Sequence, residues 1–187
     1  MEINESISNK ISLKPLISGA SKFIEKQFVA SEKELLNLSK RFGLIKLESF
    51  EVKIKINRTV QAERFVISGI LKAIAIQSCV VTLEPVQTNI NSSFDLYLFQ
   101  ENLFPEQNSQ YQEYELYHND EVDVGEVSAA ELGLLLDPYP RKPGANLNSV
   151  CANLEGIEVY REKEVKSLQR NNIQNSFSVL ADFHREE

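Results

Sequence analysis

Apolar and polar positions alternate along much of this chain, and the alternation predicts a protein built mainly from strands. Ile24 and Phe28 oppose Phe23, Glu25, Gln27 and Val29, which predicts a short first strand. Ser31 and Glu34 then have the spacing of a capping box, Leu35, Leu36, Leu38 and Phe42 give a helical apolar face, and Gly43 ends it. Phe50, Val52, Ile54 and Ile56 alternate with Glu51, Lys53, Lys55 and Asn57, a half-buried strand whose outer face is basic. A longer strand runs from Phe65 to Ile76, with Gly69 placed to mark a bulge, and Val80 to Leu83 continue extended as far as Pro85. Val86, Thr88, Ile90, Ser92, Phe94, Leu96 and Leu98 then share one parity over a strand of unusual length.

The second half is more broken. Glu101 to Gln112 is a polar, acidic loop, and Tyr114–Tyr117 and Val122–Val124 read as short strands around an Asn119-Asp120 turn. Ser128 and Glu131 repeat the capping-box spacing and open a helix through Leu132 to Leu136, which Pro138 stops at Asp137. Short links between consecutive strands favour antiparallel pairing. The expected fold is therefore α+β: a mainly antiparallel sheet, with barrel closure as one option, and two or three helices. Residues 1–145 are expected to form the single domain. Residues 146–187 are expected to be a weakly ordered, Asn-rich tail ending in a short docking helix at Phe177, Val179, Leu180 and Phe183.

Composition narrows the class. The apolar fraction of 42% is that of an ordinary globular protein. No apolar run approaches the roughly 20 residues that a bilayer span needs, and Met1 to Lys10 has no apolar core of a secretory signal. Cys79 and Cys151 are too few for a disulfide framework, which suggests a reducing cytoplasm. The net charge of −7 is unevenly spread. Residues 1–60 hold eleven Lys/Arg against seven Asp/Glu, whereas Glu101 to Asp137 holds ten acids and no Lys or Arg. Such polarity suits a chain with different faces for different partners, or simply a solubilising acidic loop.

Catalytic chemistry has little support. His118 and His184 lie in no nucleophile signature, and the seven glycines form neither a P-loop nor a dinucleotide fingerprint. Neither cysteine has a C-x-x-C partner, so no metal site, cofactor or small-molecule substrate is expected. The carboxylates Asp120, Glu121, Asp123 and Glu126 can hold a cation for RNA hydrolysis, though they match no calcium loop and a run of acids is usually just hydrated.

Two stretches resist that account. One is Ser78 to Val86, where a buried-looking strand enters an acidic, proline-marked turn. The other is Asp137-Pro138-Tyr139-Pro140-Arg141-Lys142-Pro143-Gly144, whose three prolines stiffen it and display Tyr139, Arg141 and Lys142 at low entropic cost. It reads either as a contact for RNA phosphates or a carboxylate-rich protein face, or as a structural strap over a sheet edge. Lys53, Lys55 and Arg58 are the other candidate cations.

The order of these stretches closely resembles the YceD family, the large ribosomal RNA subunit accumulation proteins, and in particular its alphaproteobacterial-type branch. The resemblance runs through Cys79, Leu83, Glu84 and Pro85, then Gly125 and Glu126, then Asp137, Pro138, Pro140 and Pro143. It implies a bacterial, cytoplasmic, non-catalytic factor that supports accumulation of large-subunit ribosomal RNA. The implied partner is ribosomal RNA or a basic large-subunit ribosomal protein, with no membrane. Family genes commonly neighbour one for a large-subunit ribosomal protein. Many relatives carry C-x-x-C at the central motif; here Thr82 stands at the second cysteine, which leaves Cys79 without a paired ligand. The alternatives are a metal-assisted RNA-processing hydrolase and an adaptor without a ribosomal role.

Overall fold

In a computed structural model, residues 7–59, 64–101 and 113–146 are described. The chain divides into two compact units, 1–143 and 144–187, and the fold below is that of the first. The expected docking helix and Cys151 lie outside the described residues.

Its elements in chain order are β1 (Lys10–Ser12), α1 (Lys14–Ile17), β2 (Phe23–Val29), α2 (Glu32–Arg41), β3 (Lys46–Arg58), β4 (Arg64–Ser78), β5 (Pro85–Gln100), β6 (Tyr114–Tyr117), β7 (Glu121–Asp123) and α3 (Val124–Leu135). Five strands form one sheet in the order β2-β3-β4-β5-β6, and β1 pairs with β7 in a separate ribbon. The fold is α+β with a mostly antiparallel sheet. It is not closed into a barrel: β2 and β6 remain edges, because helices and the small ribbon cover the apolar face that a barrel would have enclosed.

Strand periodicity sets the core. Phe50, Val52, Ile54 and Ile56 of β3, and Phe65, Ile67, Leu71, Ala73 and Ala75 of β4, are buried on one face. Leu38 of α2, Val127, Ala129 and Leu132 of α3, and Leu13 and Leu16 around α1 complete that core. α2 has the expected capping box, with Glu34 N–H donating to Ser31 Oγ and Ser31 N–H to Glu34 Oε2. Gly43 lies beyond its end at φ +62°, as a left-handed helix terminus requires.

The structure differs from the expectations at several points. Gly69 is no bulge: it keeps register between Ile54 and Phe94, and a Cβ there would meet the Phe94 ring at 2.2 Å, so glycine is needed for the ring to lie across the strand. The register shift falls instead between Leu47 and Ser49, where the Leu47 N–H leaves the ladder and donates to the buried Ser39 hydroxyl of α2. Val80 to Leu83 turn rather than extend, and Leu83 adopts φ +61°. β6 joins β5 in parallel, and the thirteen residues 101–113 supply the crossover length that parallel pairing demands. Finally, α3 starts at Val124. Asp123 caps it by accepting from Gly125 N–H and Glu126 N–H, while Ser128 is interior and donates to the Val124 carbonyl. β1 and α1, of three and four residues, are too short to leave a periodic signal.

Candidate functional site

The two stretches singled out in the sequence meet in space. The β4–β5 hairpin turns through Cys79 to Glu84, closed by Cys79 N–H to the Glu84 carbonyl (2.8 Å) and Leu83 N–H to the Cys79 carbonyl (2.9 Å). The strap from Asp137 to Pro143 runs over this turn. Val80 N–H donates to the Pro140 carbonyl at 2.9 Å, and Gln77 Nε2 donates to the Asp137 carbonyl at 2.8 Å. Asp137 Oδ1 accepts from Tyr139 N–H at 2.8 Å, a local turn that sets the bend before Pro140, which is buried. Lys142 joins both parts: its N–H reaches Cys79 Sγ at 3.4 Å and its Nζ reaches Glu84 Oε2 at 3.0 Å.

Cys79 is the hub. Its sulfur accepts from the backbone N–H groups of Val81, Thr82 and Lys142, each at 3.4 Å. The Lys142 N–H above all, then the Thr82 side chain and the two loop amides, lower its pKa from 9.0 to about 6. Cys79 has no exposed surface, and these donors outweigh the cost of its burial. Lys142, followed by Thr82, likewise lowers the Glu84 carboxyl below the usual carboxylate range. Thr82 thus contributes a hydroxyl to both Cys79 and Glu84. Among the described residues no group of three or more His, Cys, Asp or Glu is placed to hold a metal ion.

The strap therefore divides its cations. Lys142 is held by Glu84, whereas Tyr139 and Arg141 are exposed, Tyr139 to 71%. Pro138 and Pro143 are exposed and brace the ends, and Pro85 opens β5 opposite Ser78.

The expected basic strand face is split by the sheet. Lys53 and Lys55 project to the open side, where Lys55 pairs with Glu25 at 3.1 Å and lies 4.2 Å from the Phe23 ring centroid. Glu51 and Asp95 share this face by register, beside a shallow groove of about 540 Å³ floored by Gly69. Arg58 has the opposite parity, stands opposite the buried Phe65, and donates to the Leu16 carbonyl at 3.4 Å. It belongs to the covered side, away from the two lysines.

The acidic residues gather elsewhere. A cavity of about 520 Å³ between β6, β7 and α3 is lined by Glu115, Glu121, Asp123 and Glu126, with Lys10 and His118. Burial, chiefly, pushes the Glu115 carboxyl up, with the Glu126 charge adding to it. Two of these acids already have structural partners. Asp123 also accepts from Ser8 Oγ and Asn9 N–H, and Glu126 pairs with Arg41 at 2.5 Å. Gly125 is required by the same junction, since a Cβ would lie 2.9 Å from the Asn9 nitrogen.

The sequence missed the role of Gln77. It also missed that Cys79 accepts a bond from Lys142, sixty-three residues on, a contact that no local pattern encodes. No helix among the described residues is long and apolar enough to cross a membrane.

A family model described as large ribosomal RNA subunit accumulation protein YceD matches residues 67–184, more than half of the chain. The match begins within β4 and takes in the hairpin turn, α3 and the strap. No significant match was found among curated proteins or among solved structures.

Proposed function

This chain belongs to the YceD family, and from that premise we propose that it is a cytoplasmic, non-catalytic factor for large-subunit ribosomal RNA accumulation. Its direct partner is a basic large-subunit ribosomal protein rather than the RNA itself. The family's printed description supplies the link to ribosomal RNA; the choice of partner rests on charge.

The observation that carries the choice is the fate of the cations. Lys55 is paired with Glu25, Lys142 with Glu84, and Arg58 donates to a backbone carbonyl inside the fold. A phosphate-tracking surface needs cations free to displace counterions, and only Lys53 and Arg141 of the candidates have no such partner among the described residues. The acid-lined cavity by β6, β7 and α3 has the complementary sign for a basic protein. Asp123 and Glu126 are engaged in a helix cap and an ion pair, which weighs against the hydrolase reading.

The test is crosslinking in cells followed by identification of attached protein and RNA, with a Glu115→Gln/Glu121→Gln variant of the acid-lined cavity beside the unmodified chain. Asp123 and Glu126 are left in place because they cap α3 and pair with Arg41. The expected result is a ribosomal protein crosslinked by the unmodified chain and reduced several-fold by the variant. Direct RNA crosslinks, together with RNA affinity that falls steeply across a salt series, would sink the protein-binding reading.

A further inference from the structure

β2 is one edge of the five-stranded sheet, and among the described residues no strand pairs with its outer side. The Ala30 N–H donates to the Phe50 carbonyl at 2.9 Å, continuing the ladder in which Phe28 stands opposite Val52 and Lys26 opposite Ile54. Hydrogen-bonded pairs alternate along an antiparallel ladder, so the even residues of β2 direct their N–H and C=O groups to β3 and the odd ones direct theirs outward. Phe23, Glu25, Gln27 and Val29 therefore offer a row of donors and acceptors, a template for one more strand.

The side chains select which strand fits. Phe23 and Val29 are 48% and 66% exposed on the open face, and Ile24 and Phe28 on the covered face are only partly buried. These four apolar residues lie symmetrically about Lys26, with Glu25 and Gln27 between them. A second copy of β2, antiparallel about a two-fold axis through Lys26, sets Phe23 against the partner's Val29, Ile24 against its Phe28 and Glu25 against its Gln27. Moving the axis to Glu25 sets two carboxylates against each other and Phe23 against Gln27. Moving it to Gln27 sets Glu25 against Val29 and Lys26 against Phe28. Registers that pair odd with even positions would set open-face side chains opposite covered-face ones. The Lys26 axis alone matches apolar with apolar on both faces. Its cost is Lys26 against its own copy, the kind of inward charge that blunts an edge strand. Lys26 is exposed, so water and salt screen that repulsion.

We infer that the β2 edge is a self-association surface, on which two copies of the chain join their sheets about a two-fold axis at Lys26. Opposite residues share a face, so the helices of both copies lie on the same side of the joined sheet. The contact is isologous and uses up β2 in each copy, so pairing there stops at two. Seven residues a side is far below the roughly 20–30 of a standard interface, and the lysine pair weakens it further. The dimer therefore forms at micromolar rather than nanomolar concentrations. The inference is independent of whether the ribosomal partner is protein or RNA.

The experiment is sedimentation velocity of the full chain over a concentration series, where a monomer–dimer equilibrium in the micromolar range is expected. Gln27→Pro removes an outward N–H that β3 does not use, a place where an edge strand tolerates proline. It should weaken the dimer roughly tenfold or more, since the bond is lost in both copies. Should Gln27→Pro fail to fold, Val29→Lys at its exposed position replaces it, with the same expected loss. Lys26→Gln removes the repulsion and should tighten the dimer several-fold. Mild oxidation reads the register: Lys26→Cys meets its own copy on the axis and should give several-fold more disulfide-linked dimer than Glu25→Cys or Gln27→Cys. The unmodified chain sets the background from Cys79 and Cys151. A chain that stays monomeric at every concentration overturns the inference, including one whose β2 edge takes up an extended peptide of another protein. So does a dimer unmoved by Gln27→Pro or Val29→Lys, which uses another surface. A dimer unmoved by Lys26→Gln, or crosslinked equally at the three positions, has no axis at Lys26 and overturns it as well.

Discussion

Lys55 and Lys142 meet their glutamates at nearly the same distance, 3.1 and 3.0 Å, in regions built on opposite plans. Lys55 stands on the open face of the sheet, where register alone places it opposite Glu25, and every second residue of each strand offers another surface side chain. Lys142 stands on the strap, fifty-eight residues from Glu84, and its neighbours Cys79, Val80 and Gln77 each hold the strap by one particular hydrogen bond. The sheet face is redundant and tolerates loss of any one group. The loop and strap depend on a few groups that have no substitutes, and there the exposed Tyr139 and Arg141 are held in a defined place. A binding surface needs that kind of definition.

The largest predicted effect falls on the sheet, at the point where it is not redundant. Gly69→Ala puts a Cβ into the Phe94 ring and should destabilise the fold by about 3 kcal/mol, the upper range for an overpacked core. Urea unfolding measures it. Adding Phe94→Ala should cost less than the sum of the two single changes, because the clash disappears while the lost ring burial remains. A Gly69→Ala variant of unchanged stability would mean that the ring moves aside freely and that the sheet is no more defined than its open face.

Second is Cys79→Ala, which removes the acceptor of three N–H groups. The amides of Val81, Thr82 and Lys142 should exchange with solvent roughly tenfold faster, the order of one hydrogen bond's net worth. Val52 and Leu71, paired at the centre of the sheet, should keep their rates. Uniform acceleration would instead mean that loop, strap and sheet open as one unit.

The same contrast explains what could be read from residues alone. β2 to β5 and α2 follow from alternation and a capping box because their signals are local and repeated many times. Ser128 and Glu131 mimic a cap in the sequence, while the cap of α3 is Asp123, which accepts from Gly125 N–H and Glu126 N–H and is also held by Ser8 and Asn9, more than a hundred residues away. Arg58 follows Lys53 and Lys55 along the strand as a third cation, yet its even position puts it on the other face, as period-2 alternation requires. Cys79–Pro85 and Asp137–Gly144 stand out in the sequence by their prolines and by family likeness. Their contact does not, since it is made by backbone groups common to all residues.

Third comes a pH dependence confined to the loop and strap. The folded pKa of Cys79, about 6, lies below the 9.0 of a free thiol, so folding favours the thiolate. The contribution is complete above the free value, shrinks as pH falls, and is gone below the folded value. Protection of the Lys142 amide, corrected for intrinsic exchange, should therefore rise between about pH 6 and 9. In Cys79→Ser, which has no titrating group there, the profile should be flat. A rise that persists in the serine variant would assign the effect to another group and detach Cys79 from the hub.

The smallest effect compares the two ion pairs directly by double-mutant cycles, Glu25→Ala/Lys55→Ala against Glu84→Ala/Lys142→Ala. Exposed pairs are worth little because two long side chains must be immobilised for a screened attraction, and the Lys55–Glu25 coupling should be about 0.5 kcal/mol. At Lys142 part of that entropy cost is already met: Pro140 and Pro143 restrict the backbone, and the Lys142 N–H is tied to Cys79 Sγ. Its coupling to Glu84 should be the greater of the two at equal salt. It should also fall to the level of the sheet pair in a Cys79→Ala background, where that tie is gone. Equal couplings in the unmodified background would show that the strap holds Lys142 no more firmly than a strand holds Lys55. The strap would then be another exposed segment, and Tyr139 and Arg141 would lose their claim to a fixed position.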